Sequence, residues 1–324
     1  MTNAPLFLIG LGAGLASALL YASAASGSPL AIFLVYVAPL PILLAGLGWR
    51  HHAGLIGAAV AAIALFLAVG ASAGAFHAIG VGLPAWWLAY LALLARPGAD
   101  GVTPEWYPIG RLVLWCAVIG GALVALSVPL VASSLEEYRA ALRTMFEELF
   151  RERAGGPQFP NPENREALVN LLTAALPIMA AALWTVSSVF NLWLAGRITR
   201  ASGRLVRPWP QISSMTYPRT ADLGFLGTSA ASLLPGLVGL VAELFAATFL
   251  VAFAMLGLAV LHVTTRAMPT RGLILFGVYA LLLIQPWVGV FLAVLGLAEQ
   301  TIGVRKRFGP PPPGSPPTAT ATLP

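Results

Sequence analysis

Long apolar runs separated by short polar clusters repeat along this chain. Residues 55–70, 244–261 and 272–297 contain no charged side chain. A run of about 20 apolar residues is long enough to cross the hydrocarbon core of a bilayer as a helix, and a helix satisfies its own backbone hydrogen bonds there. The runs therefore predict an all-α, polytopic transmembrane helix bundle. They fall at residues 5–21, 30–48, 53–70, 75–95, 112–132 and 167–195, then in a long stretch at 223–263, and finally at 272–297. Prolines interrupt several of them, among them Pro39 and Pro41 in the second, Pro177 in the sixth, and Pro286 beside Gln285 in the last. Each removes a backbone donor and favours a kink. Stretch 223–263 is long for one span and short for two, with Pro235-Gly236 as the break. One pass there gives about eight crossings in all, two passes about nine.

The largest hydrophilic segment is 133–166. Ser134 and Glu137 have the spacing of a capping box, in which side-chain oxygens take up free amides at a helix start. Leu135, Tyr138, Leu142, Met145 and Leu149 recur at three- and four-residue steps, predicting an extramembrane amphipathic helix. Arg143 and Arg151 each stand four residues from Glu147 and can pair with it on the wet face. Gly155, Gly156, Pro157, Pro160 and Pro162 end the pattern. Such a helix lies on the membrane surface or caps the bundle; a gate over a substrate mouth is the sharper reading.

Charged residues are 9% of the chain and hydrophobic residues 58%, far from the roughly 25% charged residues of a soluble domain. The lipid bilayer is thus the first partner. The net charge of +6 does not indicate nucleic acid, because the basic residues are almost all arginines spread a few per loop, without a continuous basic face. Basic residues mark cytoplasmic loops. Segment 197–222 carries five arginines against one aspartate and is assigned to the cytoplasm, while 133–166, with seven acidic and five basic residues, falls outside. Counting back puts the N-terminus in the cytoplasm, and the chain is read as a multi-pass protein of a bacterial cytoplasmic membrane. The first run, followed by Ala22-Ser23-Ala24, has the outline of a signal peptide. No basic residue precedes Arg50, so it is read as a retained span. The bundle is assigned to 1–304, with a basic and then proline-rich tail at 305–324 that lacks regular structure.

Ionisable and amide groups within spans are the candidates for a substrate pathway, since each is costly in hydrocarbon. They are Glu243, His77, Gln285 and Asn191. Glu243 is a cation or proton site if it lies mid-span, and an interfacial residue if the chain turns near Pro235. His77 is a proton carrier, a ligand-binding group or a hydrogen-bonded packing residue. Gln285 fills bonds freed at Pro286, and Asn191 bonds between helices. His262, next to Arg266 at a span end, is read as interfacial. Cys116 is the only cysteine, so there is no internal disulfide and no thiolate metal site. His51-His52 have no spaced partners for a metal. No phosphate-binding loop, catalytic set or cofactor motif is visible.

Several short motifs resemble the YybS-like family of uncharacterised polytopic bacterial membrane proteins: Pro39-Leu40-Pro41 followed by Gly46, Gly48 and Trp49; Asn191-Leu192-Trp193-Leu194 leading to Arg197 and to Pro208-Trp209-Pro210; and Gly296-Leu297-Ala298-Glu299 followed by Arg305-Lys306-Arg307. That family is distantly similar to the substrate-binding subunits of energy-coupling-factor transporters, which implies binding of a small solute. Gly10, Gly14 and Ala18 lie on one face of the first span, where small side chains allow close helix approach. In the transporter subunits such a face docks a partner; the plainer alternative is packing against another span of the same chain. Three functions follow: a small-solute-binding, transport-related subunit; a scaffold for envelope or division proteins, acting through the first span or the external helix; and, with least support, an intramembrane enzyme.

Overall fold

The computed structural model describes residues 4–152 and 162–308. The chain order is α1 (Ala4–Ala22), α2 (Pro29–Val37), α3 (Pro39–Gly48), α4 (His51–Ala68), α5 (Ala71–His77) and α6 (Leu83–Ala92); a small hairpin of β1 (Ala95–Pro97) and β2 (Pro104–Trp106); α7 (Ile109–Val131), α8 (Leu135–Glu152) and α9 (Pro162–Ala201); then α10 (Thr220–Ala231), α11 (Gly236–Thr264), α12 (Arg271–Ile284), α13 (Val288–Ile302) and α14 (Val304–Phe308). A π-helical turn over Ala78–Gly82 joins α5 to α6. Among the described residues seven helices, counting α2–α3 and α5–α6 as single units, are long and apolar enough to cross a membrane; α12 and α13 are apolar but shorter. The all-α bundle read from the sequence is the architecture found. Many large apolar side chains face outward, among them Phe7, Leu67, Phe276 and Leu283, as helices wetted by lipid require.

Prolines set the breaks unevenly. α2 and α3 separate at Ala38, just before Pro39. α9 instead runs unbroken through Pro177 for 40 residues, about 60 Å of helix and roughly twice the hydrocarbon thickness. The expected single last span is two helices. Gln285 leaves the helical region, with φ −130° and ψ 84°, because a residue before proline is disfavoured there. Stretch 223–263 divides at Pro235, and Gly236 has a φ of +76°, a conformation favouring glycine. The basic start of the tail is also helical, as α14, and not irregular; its proline-rich remainder lies outside the described residues, as do Gly155, Gly156, Pro157 and Pro160.

α8 is tied both to the bundle and to α9. Leu135 and Tyr138 pack on Val128 of α7 and Leu240 of α11, and Arg143 then bonds Glu166 and Asn170 at the start of α9. The excess length of α9 thus has α8 as its partner in an antiparallel helical hairpin.

The small-residue face of α1 is used inside the chain. Gly10 abuts Ala53 and Ile56, Gly14 abuts Gly57 and Val60, and Ala18 packs with Ala61. Both registers advance together, so α1 and α4 run parallel at close range. This is the internal packing alternative, and the face is already occupied by α4.

Candidate functional site

The break between α2 and α3 gathers three buried polar side chains, Ser17, His77 and Asn191. Pro39 and Pro41 supply no amide protons, and two side chains bond the neighbouring carbonyls. Asn191 of α9 donates to Tyr36 O at 2.8 Å, and Ser17 of α1 donates to Ala38 O at 2.7 Å. His77 Nε2 stands 3.0 Å from Ser17 Oγ. The serine proton is committed to Ala38, so His77 donates from Nε2, and Nδ1 is buried without a hydrogen-bond partner among the described residues. Tyr21 closes the node with an edge-on ring contact to His77, centroids 5.2 Å apart. The serine–histidine separation is that of a nucleophile and base, but in this arrangement the hydroxyl points away from the imidazole. His77 and Asn191 are thus brought to the same break, joining α1, α5 and α9 to it.

Glu243 and Gln285 are placed elsewhere. Glu243 is exposed on the outer face of α11, two turns from its start. Gln285 is exposed at the end of α12 and accepts from Trp287 Nε1 at 2.9 Å. Among the described residues no three His, Cys, Asp or Glu side chains assemble as a metal site would require.

A cavity of the opposite residue character lies elsewhere. It holds about 720 Å³ between α7, α9 and α11, under the loop that follows α9, within the range of small-molecule sites. Its walls are apolar, with Leu112, Val189, Leu192, Met255 and Leu258 prominent. Four groups bring polarity: Arg207 and Ser213 from the loop, His262 from α11 and Tyr279 from α12. Among the described residues Arg207 donates once, to Ala92 O at 3.3 Å, out of five donors on a guanidinium. Burial pulls Arg207 below the ordinary arginine range, since desolvation disfavours a cation. His262 Nδ1 donates to Leu258 O at 2.9 Å, leaving Nε2 for other contacts. Trp209 lines the cavity and carries Arg197 and Arg200 over its ring, 5.7 and 5.4 Å from the centroid.

The loop is held in place by residues at helix ends that meet beside it. Arg204 stacks on Trp49 at 4.4 Å, Arg266 bonds Ser213 Oγ, and Arg305 bonds the carbonyls of Ser213 and Met215. α11 therefore ends beside the loop that precedes α10, and the basic segment at 305–307 begins there too. None of Glu243, His77, Gln285 or Asn191 lines this cavity. Sequence reading passed over Arg207 as one arginine of a basic loop. The available signal was the apolar content of that loop, Leu205, Trp209, Ile212 and Met215, which an unstructured cytoplasmic connection does not need.

A family model described as "Predicted membrane protein (DUF2232)" matches residues 15–299. No curated protein and no solved structure matches the chain. The match covers most of the sequence, and the chain belongs to the DUF2232 family of predicted membrane proteins.

Proposed function

We propose that this chain is a small-solute-binding subunit of a transport-related system, with the cavity beneath Arg207 as its binding site. The observation that carries the reading is the cavity itself: about 720 Å³, apolar, with a few converging polar groups. The YybS-like resemblance and its distant similarity to energy-coupling-factor subunits point the same way. The reading makes the chain a binding protein with energy supplied by partners, not an enzyme. It places the protein in a bacterial cytoplasmic membrane with the loop at 202–219 on the cytoplasmic side, where arginines collect.

Thermal unfolding of the detergent-purified protein against a solute library is the test. A ligand at 100 times its Kd stabilises by about 2.7 kcal/mol. The expected result is a solute that raises the Tm of the wild type and leaves Ala259→Phe, which fills the cavity, unmoved. A hit that shifts both proteins equally rejects the site. The scaffold reading keeps one supporting feature, the projecting α8–α9 hairpin, because the α1 face is taken by α4.

A further inference from the structure

The cavity is not closed on all sides. Val186, Phe190 and Trp193 line it and are 44%, 48% and 41% exposed. They share one face of α9 at helical spacing. Met179 and Leu183 extend the same exposed apolar stripe away from the basic end. The cavity therefore opens sideways, onto the surface that a bilayer covers, and continues as an apolar track. From Met179 to Trp193 the track rises about 21 Å along the helix, more than the roughly 15 Å of hydrocarbon in one leaflet.

The charge at the head of that track is one-sided. The ion pairs among the described residues are Arg96–Glu105, Arg143–Glu147, Arg143–Glu166 and Arg305–Glu299. Arg197, Arg200, Arg207 and Arg266 take part in none of them. Arg207 is partly buried with most of its donors unused, a costly state for a cation that an anion relieves. A guanidinium fork suits a phosphate oxygen pair. A water-soluble cation or neutral sugar would leave both the charge and the apolar track unmatched.

We infer that the occupant is an anionic membrane amphiphile, a phospholipid-type molecule with its phosphate against Arg207 and its chain lying along the α9 stripe between α9 and α11. The inference rests on the binding reading above and names the ligand class for the same site. Arg197 and Arg200, held over Trp209, add a second layer of positive charge at the mouth, and the ligand enters from the leaflet without crossing water.

Native mass spectrometry from non-ionic detergent tests it, with added phosphatidylglycerol or phosphatidylcholine of identical chains. The wild type is expected to retain one phosphatidylglycerol per chain, preferred about ten-fold over phosphatidylcholine. Arg207→Gln should bring that preference close to parity. Val186→Trp, a change at an exposed position, should reduce retention of both lipids while the Tm stays within a few degrees of wild type. Equal retention of the two lipids by the wild type, or an unchanged preference in Arg207→Gln, overturns the inference. A water-soluble compound bound in the wild type and lost in Ala259→Phe, with no lipid preference, also overturns it and leaves the binding reading standing. Failure of both lipids and solutes to distinguish wild type from Ala259→Phe removes both.

Discussion

Glu299 and Arg305 are 10% and 12% exposed at their side chains and bond at 2.9 Å. Arg305 also holds the carbonyls of Ser213 and Met215, so this pair fastens the loop that roofs the cavity. Removing one member leaves an uncompensated, mostly buried charge, which costs about 3 kcal/mol or more. Glu299→Gln is therefore expected to lower the Tm in detergent and to expose residues 205–215 to proteolysis. At the α2–α3 break, Ser17→Ala takes a donor from Ala38 O and an acceptor from His77, and the expected loss is about 1–3 kcal/mol, measured by denaturant or thermal unfolding. His77 and Asn191 stand out in the sequence because polar groups are rare in apolar runs. Their partners do not, since Tyr36 O and Ala38 O are backbone atoms at a helix break on another element, distant in the chain.

At the level of elements, the capping box of α8 is legible in the sequence and forms in a shifted variant. Ser134 Oγ accepts from Glu137 N at 3.1 Å, while the Glu137 carboxylate reaches Ser133 instead of Ser134. The bonds from Ser133, its hydroxyl first, hold Glu137 below the usual carboxylate range. A carboxylate depressed in the fold adds stability above its unfolded pKa of about 4.3 and loses it as pH falls through the lower folded value. Hydrogen exchange in the first turn of α8 should thus be faster in Glu137→Gln than in wild type near pH 6, and the two should converge once the solution is acid enough to protonate Glu137. The α1–α4 contact makes a sterner demand. A Cβ at Gly14 would stand 2.5 Å from Gly57 O, so Gly14→Val must push the helices apart, at a cost of about 1–3 kcal/mol read as a fall in Tm. The stripe Gly10, Gly14, Ala18 is plain in the sequence, but its partner is not, because a small-residue face fits a second chain as well as the Ala53, Gly57, Ala61 stripe that meets it. The division of the last run follows from Pro286, although apolar length alone argues for one continuous span.

Across the molecule, one end of the bundle collects the loop after α9, the ends of α3, α6 and α11, and Arg305. The start of α1 belongs to this end as well, since α1 runs parallel to α4, which begins at His51. Basic residues cluster there, and the acidic segment with α8 lies beyond the other end. The proposed orientation gives a direct expectation. A cysteine placed at Ser202 should react with a membrane-impermeant maleimide only in opened cells, and one at Ser133 in intact cells as well; Cys116 is buried and should stay silent. The helix bundle was readable from hydropathy, and the separation of basic and acidic loops to opposite ends is what the proposed sidedness rests on. The cavity was not readable, because its walls are ordinary apolar residues and its polar groups come from a loop and from two consecutive helices well beyond it in sequence.

The central claim is that the space under Arg207 holds a molecule. Mass spectrometry of what the gently purified wild type releases on denaturation, compared with Ala259→Phe prepared identically, tests it most directly. A compound released in near one-to-one amount by the wild type and missing from the variant is the expected result. Identical release from both proteins, or none from either, would contradict it.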